Sequence, residues 1–225
     1  MARHYGFSPD AVDIVSECCS TAFFETPLRN AAPRSSAPSS KLRIVGLGNI
    51  VRWKNWHLLL DAITRLNDDT QGRLVFSHYG PVPPGPECAS YQAELQTLKG
   101  ALPPRVTFEF HGPSRVPIRD ILAEADWFVL PSTNEPCSVA LIEALASGVP
   151  AIVSASGGNV DIITEGKTGL LFEPENPDAL ADCLRRTLHI PQDTMPREAI
   201  RDSVRHRGAR QVASEYARIY RALLG

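Results

Sequence analysis

From residue 42 onward, short apolar runs alternate with stretches whose apolar residues recur every three or four positions. The runs LRIVGLGNI, RLVFSHYG, RVTFEFHG, DWFVLP, PAIVSAS and GLLFE read as strands. Helical patterns lie between them. NWHLLLDAITRL carries Leu58, Leu59, Ala62, Ile63 and Leu66 on one side, SYQAELQTLKG ends at Gly100, and IRDILAEA follows the third strand. A helix from Ser138 to Ser147, a short helix after the turn GGN, and PDALADCLRRTL continue the alternation. A last helical periodicity runs over roughly 196–223. Strands alternating with helices predict an α/β fold: a Rossmann-like, doubly wound parallel sheet of about six strands with helices on both faces. There is no internal repeat.

Such sheets bind ligands at the carboxyl ends of their strands. The loops there are GLGNIVRWKN, SHYGPVPPGPE, FHGPSRVP, PSTNEPCS and SASGGNVD. The fourth leads into the helix at 138–147, which is apolar nearly all round yet carries one charge, Glu143. A helix without a polar face is normally buried, and a buried carboxylate is costly without a specific partner. Pro136, Cys137 and Ser138 mark the start of this helix; Gly148 and Pro150 mark its end. Free N–H groups at the start form an anion site, with Glu135 just before it and Glu143 about two turns deeper. An anion site beside carboxylates that accept from hydroxyls suits a nucleotide sugar. An ordinary favourable charge at a helix N-terminus explains Glu135 equally well. For Glu143 the structural alternative is weaker, because exposing it wastes an apolar face.

Composition narrows the classes. The chain has 225 residues, 43% of them hydrophobic and 21% charged, the balance of a soluble globular protein. A net charge of -2 implies no nucleic-acid partner. No apolar run is long enough to span a bilayer. The N-terminus, with Arg3, His4, Asp10 and Asp13, does not read as a secretory signal. The 5 cysteines show no metal-ligand spacing and fit reduced thiols of a cytoplasmic protein. Residues 30–41, NAAPRSSAPSSK, are rich in Ala, Ser and Pro. They divide the chain into 1–30, a linker at 31–41, and a domain at 42–225.

EPCSVALIE resembles the Glu–seven residues–Glu pattern of retaining, nucleotide-sugar-dependent glycosyltransferases of the GT-B architecture. The resemblance extends over ADWFVLPSTNEPCSVALIEALASGVPAIVSASGGNVDIITEGKTGLLFEPENPDALADCL, which is similar to that family's donor-binding region. VGLGNIVRWKNWHLLLDAI resembles the segment that opens its second domain, so residues 41–190 match in order. The resemblance implies that Glu143 binds the ribose hydroxyls and Glu135 the hydroxyls of the transferred sugar. It implies that N–H groups at Cys137, Ser138 and Val139 meet the diphosphate or sugar. Lys54 matches the lysine on the diphosphate. Gly80 matches a loop glycine where backbone approaches the donor, though a simple turn explains it equally well.

Three departures stand out. The family usually has Arg five residues before the lysine; here Asn49 follows Gly48, and Asn cannot neutralise a diphosphate. Arg52, in the same loop, is the candidate to take over that charge. Ser138 stands where the family often has Gly. Residues 1–30 resemble only the end of the family's N-terminal acceptor domain. The resemblance therefore implies the donor half of a transferase that moves a sugar to an acceptor hydroxyl with retention. It implies no cofactor and no metal, and the chain has no Asp-x-Asp. The alternatives are a non-catalytic nucleotide-sugar-binding module, or a subunit that needs a separate acceptor-binding domain. GLGNIV lacks the third glycine of a dinucleotide site. RHRGAR reads as a solvated face, with peripheral contact to an anionic membrane as the minor reading. The base, the sugar and the acceptor are not legible.

Overall fold

The computed structural model describes residue 13, residues 15–28 and residues 41–224. The expected unit at 1–30 is thus described in part, and the linker at 31–41, Lys41 apart, lies outside the described residues. Six strands form one sheet: β1 (Leu42–Leu47), β2 (Leu74–Tyr79), β3 (Thr107–Phe110), β4 (Trp127–Leu130), β5 (Ala151–Ser154) and β6 (Gly169–Phe172). Their order is β3-β2-β1-β4-β5-β6, and every neighbouring pair is parallel. β4 and β5 are buried at every position, because helices cover both faces; that is why WFVL and AIVS are unbroken apolar runs. The strand order reverses between β1 and β4. The loops that leave these two strands therefore diverge and open a crevice at their carboxyl ends.

The helices are α1 (Thr21–Glu25), α2 (Trp56–Thr64), α3 (Asp68–Arg73), α4 (Pro86–Gly100), α5 (Ile118–Glu124), α6 (Val139–Ala146), α7 (Asn159–Ile162), α8 (Pro177–Thr187), α9 (Arg197–Ser203) and α10 (Ala209–Leu224). α2 buries Leu58, Leu59, Ala62 and Ile63, as its period predicts, and packs against α8 and α4. α6 is the helix expected at 138–147, with Leu141, Ile142, Ala144, Leu145 and Ala146 buried. Among the described residues no helix is long and apolar enough to cross a membrane.

Three elements differ from the sequence expectation. α3 has no apolar period, and its only local mark is Asn67, whose side chain accepts from Thr70 N–H at 2.9 Å. α4 begins at Pro86 rather than at Ser90, because proline is well suited to a first helical position. The single helix expected at 196–223 is two helices, joined by a 3-10 turn at Arg205–Arg207 and an extended Gly208. Long-range pairing causes the break. Cys19 N–H donates to Arg207 carbonyl at 3.1 Å, and Ala209 N–H donates to Cys19 carbonyl at 3.1 Å. The same N-terminal segment is fastened by Arg201. Its guanidinium donates to Ala146 carbonyl (2.8 Å), at the end of α6, and to Thr26 carbonyl (2.6 Å), after α1. A cation there also complements the negative end of the helix.

Candidate functional site

The crevice is built from the chain after β1 and the chain after β4. The first runs from Gly48 into a 3-10 turn, Arg52–Lys54, which Asn55 closes in a left-handed conformation (φ 54°) before α2. The second runs from Pro131 to Ser138, the N-cap of α6. The two are laced together. Thr133 N–H donates to Trp53 carbonyl at 3.1 Å, and Asn55 Nδ2 donates to Thr133 Oγ1 at 2.5 Å and Pro131 carbonyl at 3.3 Å. Within this lacing Lys54 Nζ lies 2.5 Å from Glu135 Oε2, and the two side chains are only 11% and 9% exposed. The ammonium also sits 4.4 Å from the centre of the Trp53 ring, a cation–π contact. Trp53 itself is exposed, whereas Trp56 is wholly buried.

Glu135 is held from behind by the turn after β5. Gly158 N–H donates to Glu135 carbonyl at 2.8 Å. A Cβ at Gly157 would overlap that carbonyl, and its φ of +60° suits glycine. Asn134 N–H donates to Ser156 Oγ at 2.8 Å, and Ser154 Oγ donates to Ser132 carbonyl. The sequence places this turn, within SASGGNVD, at the ligand edge of the sheet but does not show that it holds Glu135.

At the start of α6, Ser138 is buried and its Oγ accepts from Leu141 N–H at 3.2 Å. The N–H groups of Val139 and Ala140, ahead of Leu141, have no intrahelical acceptor and give this end its positive character. Cys137 is half-buried, and burial pushes its thiol up. Arg207 Nη1 approaches its sulfur at 3.8 Å. The expected solvated face at RHRGAR thus needs correcting at one residue: Arg205 and His206 are exposed, but Arg207 is half-buried and turned toward the start of α6. The pairing of Cys19 with the turn that carries Arg207 holds it there.

Glu143 is the one residue from 141 to 150 that is not buried; it is half-buried. Burial holds its carboxyl above the ordinary carboxylate range. The thiol of Cys19 is pushed up to about 12, by burial first and by the charge of Glu143 second. Among the described residues no hydrogen bond or ion pair to the Glu143 carboxylate is found. Glu143 is therefore the one point between 141 and 150 at which the apolar helix is partly accessible.

The remaining expected residues fall nearby but not together. Asn49 is exposed, and its carbonyl accepts from Trp56 Nε1 at 3.0 Å. Gly80 is constrained by contact rather than being a free turn: a Cβ there would overlap Gly48 carbonyl, and its N–H donates to Gly112 carbonyl at 2.9 Å. Arg52 points away from Lys54, onto α4. Its guanidinium makes a bidentate pair with Glu94 and lies 4.4 Å from the centre of the Tyr91 ring.

A cleft of about 260 Å³ opens beside Gly80, lined by Ile50, His78, Gln96, Phe110 and Gly112 among others. His78 is 1% exposed between the rings of Trp56 (4.3 Å) and Phe110 (5.4 Å). Neither of its ring nitrogens makes a hydrogen bond of good geometry among the described residues, and burial pushes its pKa down to about 4 against a smaller opposing effect of the Gly48 backbone.

Comparison with known proteins shows the fold and the family. The sulfoquinovosyl transferase SQD2 of Arabidopsis thaliana is 29% identical over 174 residues, covering 76% of this chain and 31% of that protein. The D-inositol 3-phosphate glycosyltransferase of Corynebacterium urealyticum is 30% identical over 212 residues, covering 88% of this chain and 47% of that protein. The chain thus spans less than half the length of these relatives. Among solved structures, HepE of Anabaena in complex with UDP and glucose superposes with a TM-score of 0.78 at 17% identity, covering 99% of this chain and 59% of that one. The sheet and its helices are thus a Rossmann-like half of a GT-B fold. The family model described as glycosyl transferases group 1 matches residues 29–207, and the chain belongs to that family.

Proposed function

We propose that the crevice between β1 and β4 binds the donor of a glycosyl transfer, a nucleoside diphosphate sugar, and that the sugar passes to an acceptor hydroxyl with retention. The observation that carries this reading is the buried Lys54–Glu135 pair beside the start of α6, with the half-buried Glu143 further along the same helix. Lys54 supplies a cation whose place is set before any ligand arrives. Together with the N–H groups around Ser138 it would stabilise the negative charge that develops on the leaving diphosphate. Glu135 uses Oε2 to hold Lys54, which leaves Oε1 to accept from hydroxyls of the sugar. Glu143 accepts from the ribose hydroxyls, which satisfies a carboxylate without a hydrogen-bond or ion-pair partner among the described residues. The cleft at Gly80 and His78 lies next to the Gly48–Asn49 loop and is of a size to take the base.

In this reading no metal is needed, because Lys54 and the helix N–H groups carry the positive charge. Retention follows the front-face course that the family resemblance implies, in which the leaving phosphate helps to deprotonate the acceptor. The acceptor side would come from a further domain or subunit.

Calorimetric titration with UDP, GDP and ADP, with and without a chelator, tests the reading. It predicts saturable binding of at least one of them, unchanged by chelator. Lys54→Ala should weaken that binding roughly ten- to hundred-fold, the scale of a lost charged hydrogen bond. Binding that vanishes with chelator and returns with Mg²⁺ or Mn²⁺ would overturn the metal-free site. No binding of any nucleoside diphosphate would overturn the donor assignment itself.

A further inference from the structure

The 3-10 turn Arg52–Lys54 has only one residue between the two that matter. Lys54 points into the crevice and Arg52 points to α4. On the crevice side the turn is anchored to the β4 loop through Trp53 carbonyl and the Asn55 side chain. On the other side Arg52 is its contact with α4, and that contact is specific. Arg52 Nη1 donates to Glu94 Oε1 at 2.9 Å, and Nη2 donates to Glu94 Oε2. The guanidinium stacks over the Tyr91 ring, and Tyr91 is itself fixed: it is 1% exposed, and its hydroxyl lies 2.9 Å from His57 Nδ1 and accepts from His57 N–H at 3.2 Å. His57 is the second residue of α2, so the cluster ties both ends of the Arg52–His57 segment to one buried ring.

An exposed ion pair of this kind adds little to global stability. A planar fork held by two carboxylate oxygens and an aromatic face does, however, restrict direction. We infer that Arg52 is a positioning residue. Its tether to Glu94 and Tyr91 fixes the turn from outside the crevice, so that the Lys54 ammonium is presented to the diphosphate in one place. The inference rests on the donor-site reading above and changes the part Arg52 plays in it. The guanidinium acts through Lys54 and does not replace, by touching the phosphates, the charge that Asn49 lacks.

Two measurements on the full chain test this. The first needs no nucleotide. Trp56 and Trp127 are buried, so acrylamide reaches chiefly Trp53, the middle residue of the turn. Quenching should rise in Arg52→Ala and in Glu94→Ala, and return toward the unsubstituted value in the charge-swapped pair Arg52→Glu with Glu94→Arg. The second is titration with the nucleoside diphosphate that the unsubstituted chain binds, and with its nucleoside. Arg52→Ala and Glu94→Ala should each weaken the diphosphate by roughly two- to ten-fold, the double substitution should be no worse than either, and the nucleoside should be unaffected. The charge swap should restore diphosphate affinity, a rescue that general damage to the fold would not give. If Glu94→Ala leaves affinity unchanged or tightens it while Arg52→Ala weakens it, Arg52 is a direct ligand and the inference is wrong. Unchanged quenching in both single variants overturns it independently of any ligand. Absence of binding by the unsubstituted chain overturns it together with the donor-site reading.

Discussion

Lys54 Nζ and Glu135 Oε2 meet at 2.5 Å across the point where the strand order reverses, although 81 positions separate them in the chain. Two charges this well buried are stable only as a pair. Removing one leaves the other uncompensated, at a cost of about 3–5 kcal/mol, whereas replacing both with apolar side chains of similar size is close to neutral. Lys54→Met alone and Glu135→Leu alone should therefore each lower the urea midpoint clearly. The double variant should recover most of that loss and still fail to bind a nucleoside diphosphate. Equal and additive losses in the singles and the double would show that the pair does not act as a unit.

Glu143 behaves in the opposite way, because burial penalises its charge and no partner among the described residues offsets the penalty. Its carboxyl is held above the ordinary value, so the folded chain binds this proton more readily than the unfolded one. The contribution to stability is thus fully present below the ordinary carboxylate value and is lost as pH rises through the folded one. Glu143→Gln removes the ionisation. The variant should melt no lower than the parent at pH 7, and its advantage should shrink as pH falls toward 4.5. Melting curves at several pH values check this; a large drop in melting temperature at pH 7 would reveal an internal partner for the carboxylate.

His78 makes the fold sensitive to acid. The unfolded chain takes up this proton near 6.5, the folded chain only near 4, because burial between two aromatic rings disfavours the imidazolium. Stability therefore falls as pH drops through that window, by on the order of 3 kcal/mol from this one residue. His57, whose pKa burial also lowers, acts in the same direction. Urea midpoints of the parent and of His78→Gln at pH 7 and pH 4.5 should show a smaller acid loss in the variant. Identical losses would assign the acid sensitivity elsewhere.

Much of this site could be read from the chain because its information is local. Unbroken apolar runs gave the strands, and Ser138 with Gly148 bracketed α6. One charge in an apolar helix pointed to Glu143. What escaped the reading depends on contacts between distant segments. Nothing near Lys54 announces Glu135 as its partner, and nothing near Arg52 announces Glu94; the sheet topology brings each pair together. The same holds for the end of the chain, where the helical period runs on through 208 but Cys19 pairs with the backbone there and breaks the helix. α3 was missed for a different reason: its sequence, DDTQGR, has a cap before it but no apolar stripe to bury.

The most direct test of the donor site is a titration of the parent and of Glu143→Ala with the nucleoside diphosphate that binds best and with its 2′,3′-dideoxy analogue. If the carboxylate accepts from the ribose, the substitution should cost about 1.5–3 kcal/mol, or roughly ten- to hundred-fold in affinity. The dideoxy analogue should lose a similar amount against the parent and little more against the variant, since both changes delete one interaction. Unchanged affinity in Glu143→Ala, or losses that simply add, would contradict the ribose assignment and the reading of this crevice as a donor site.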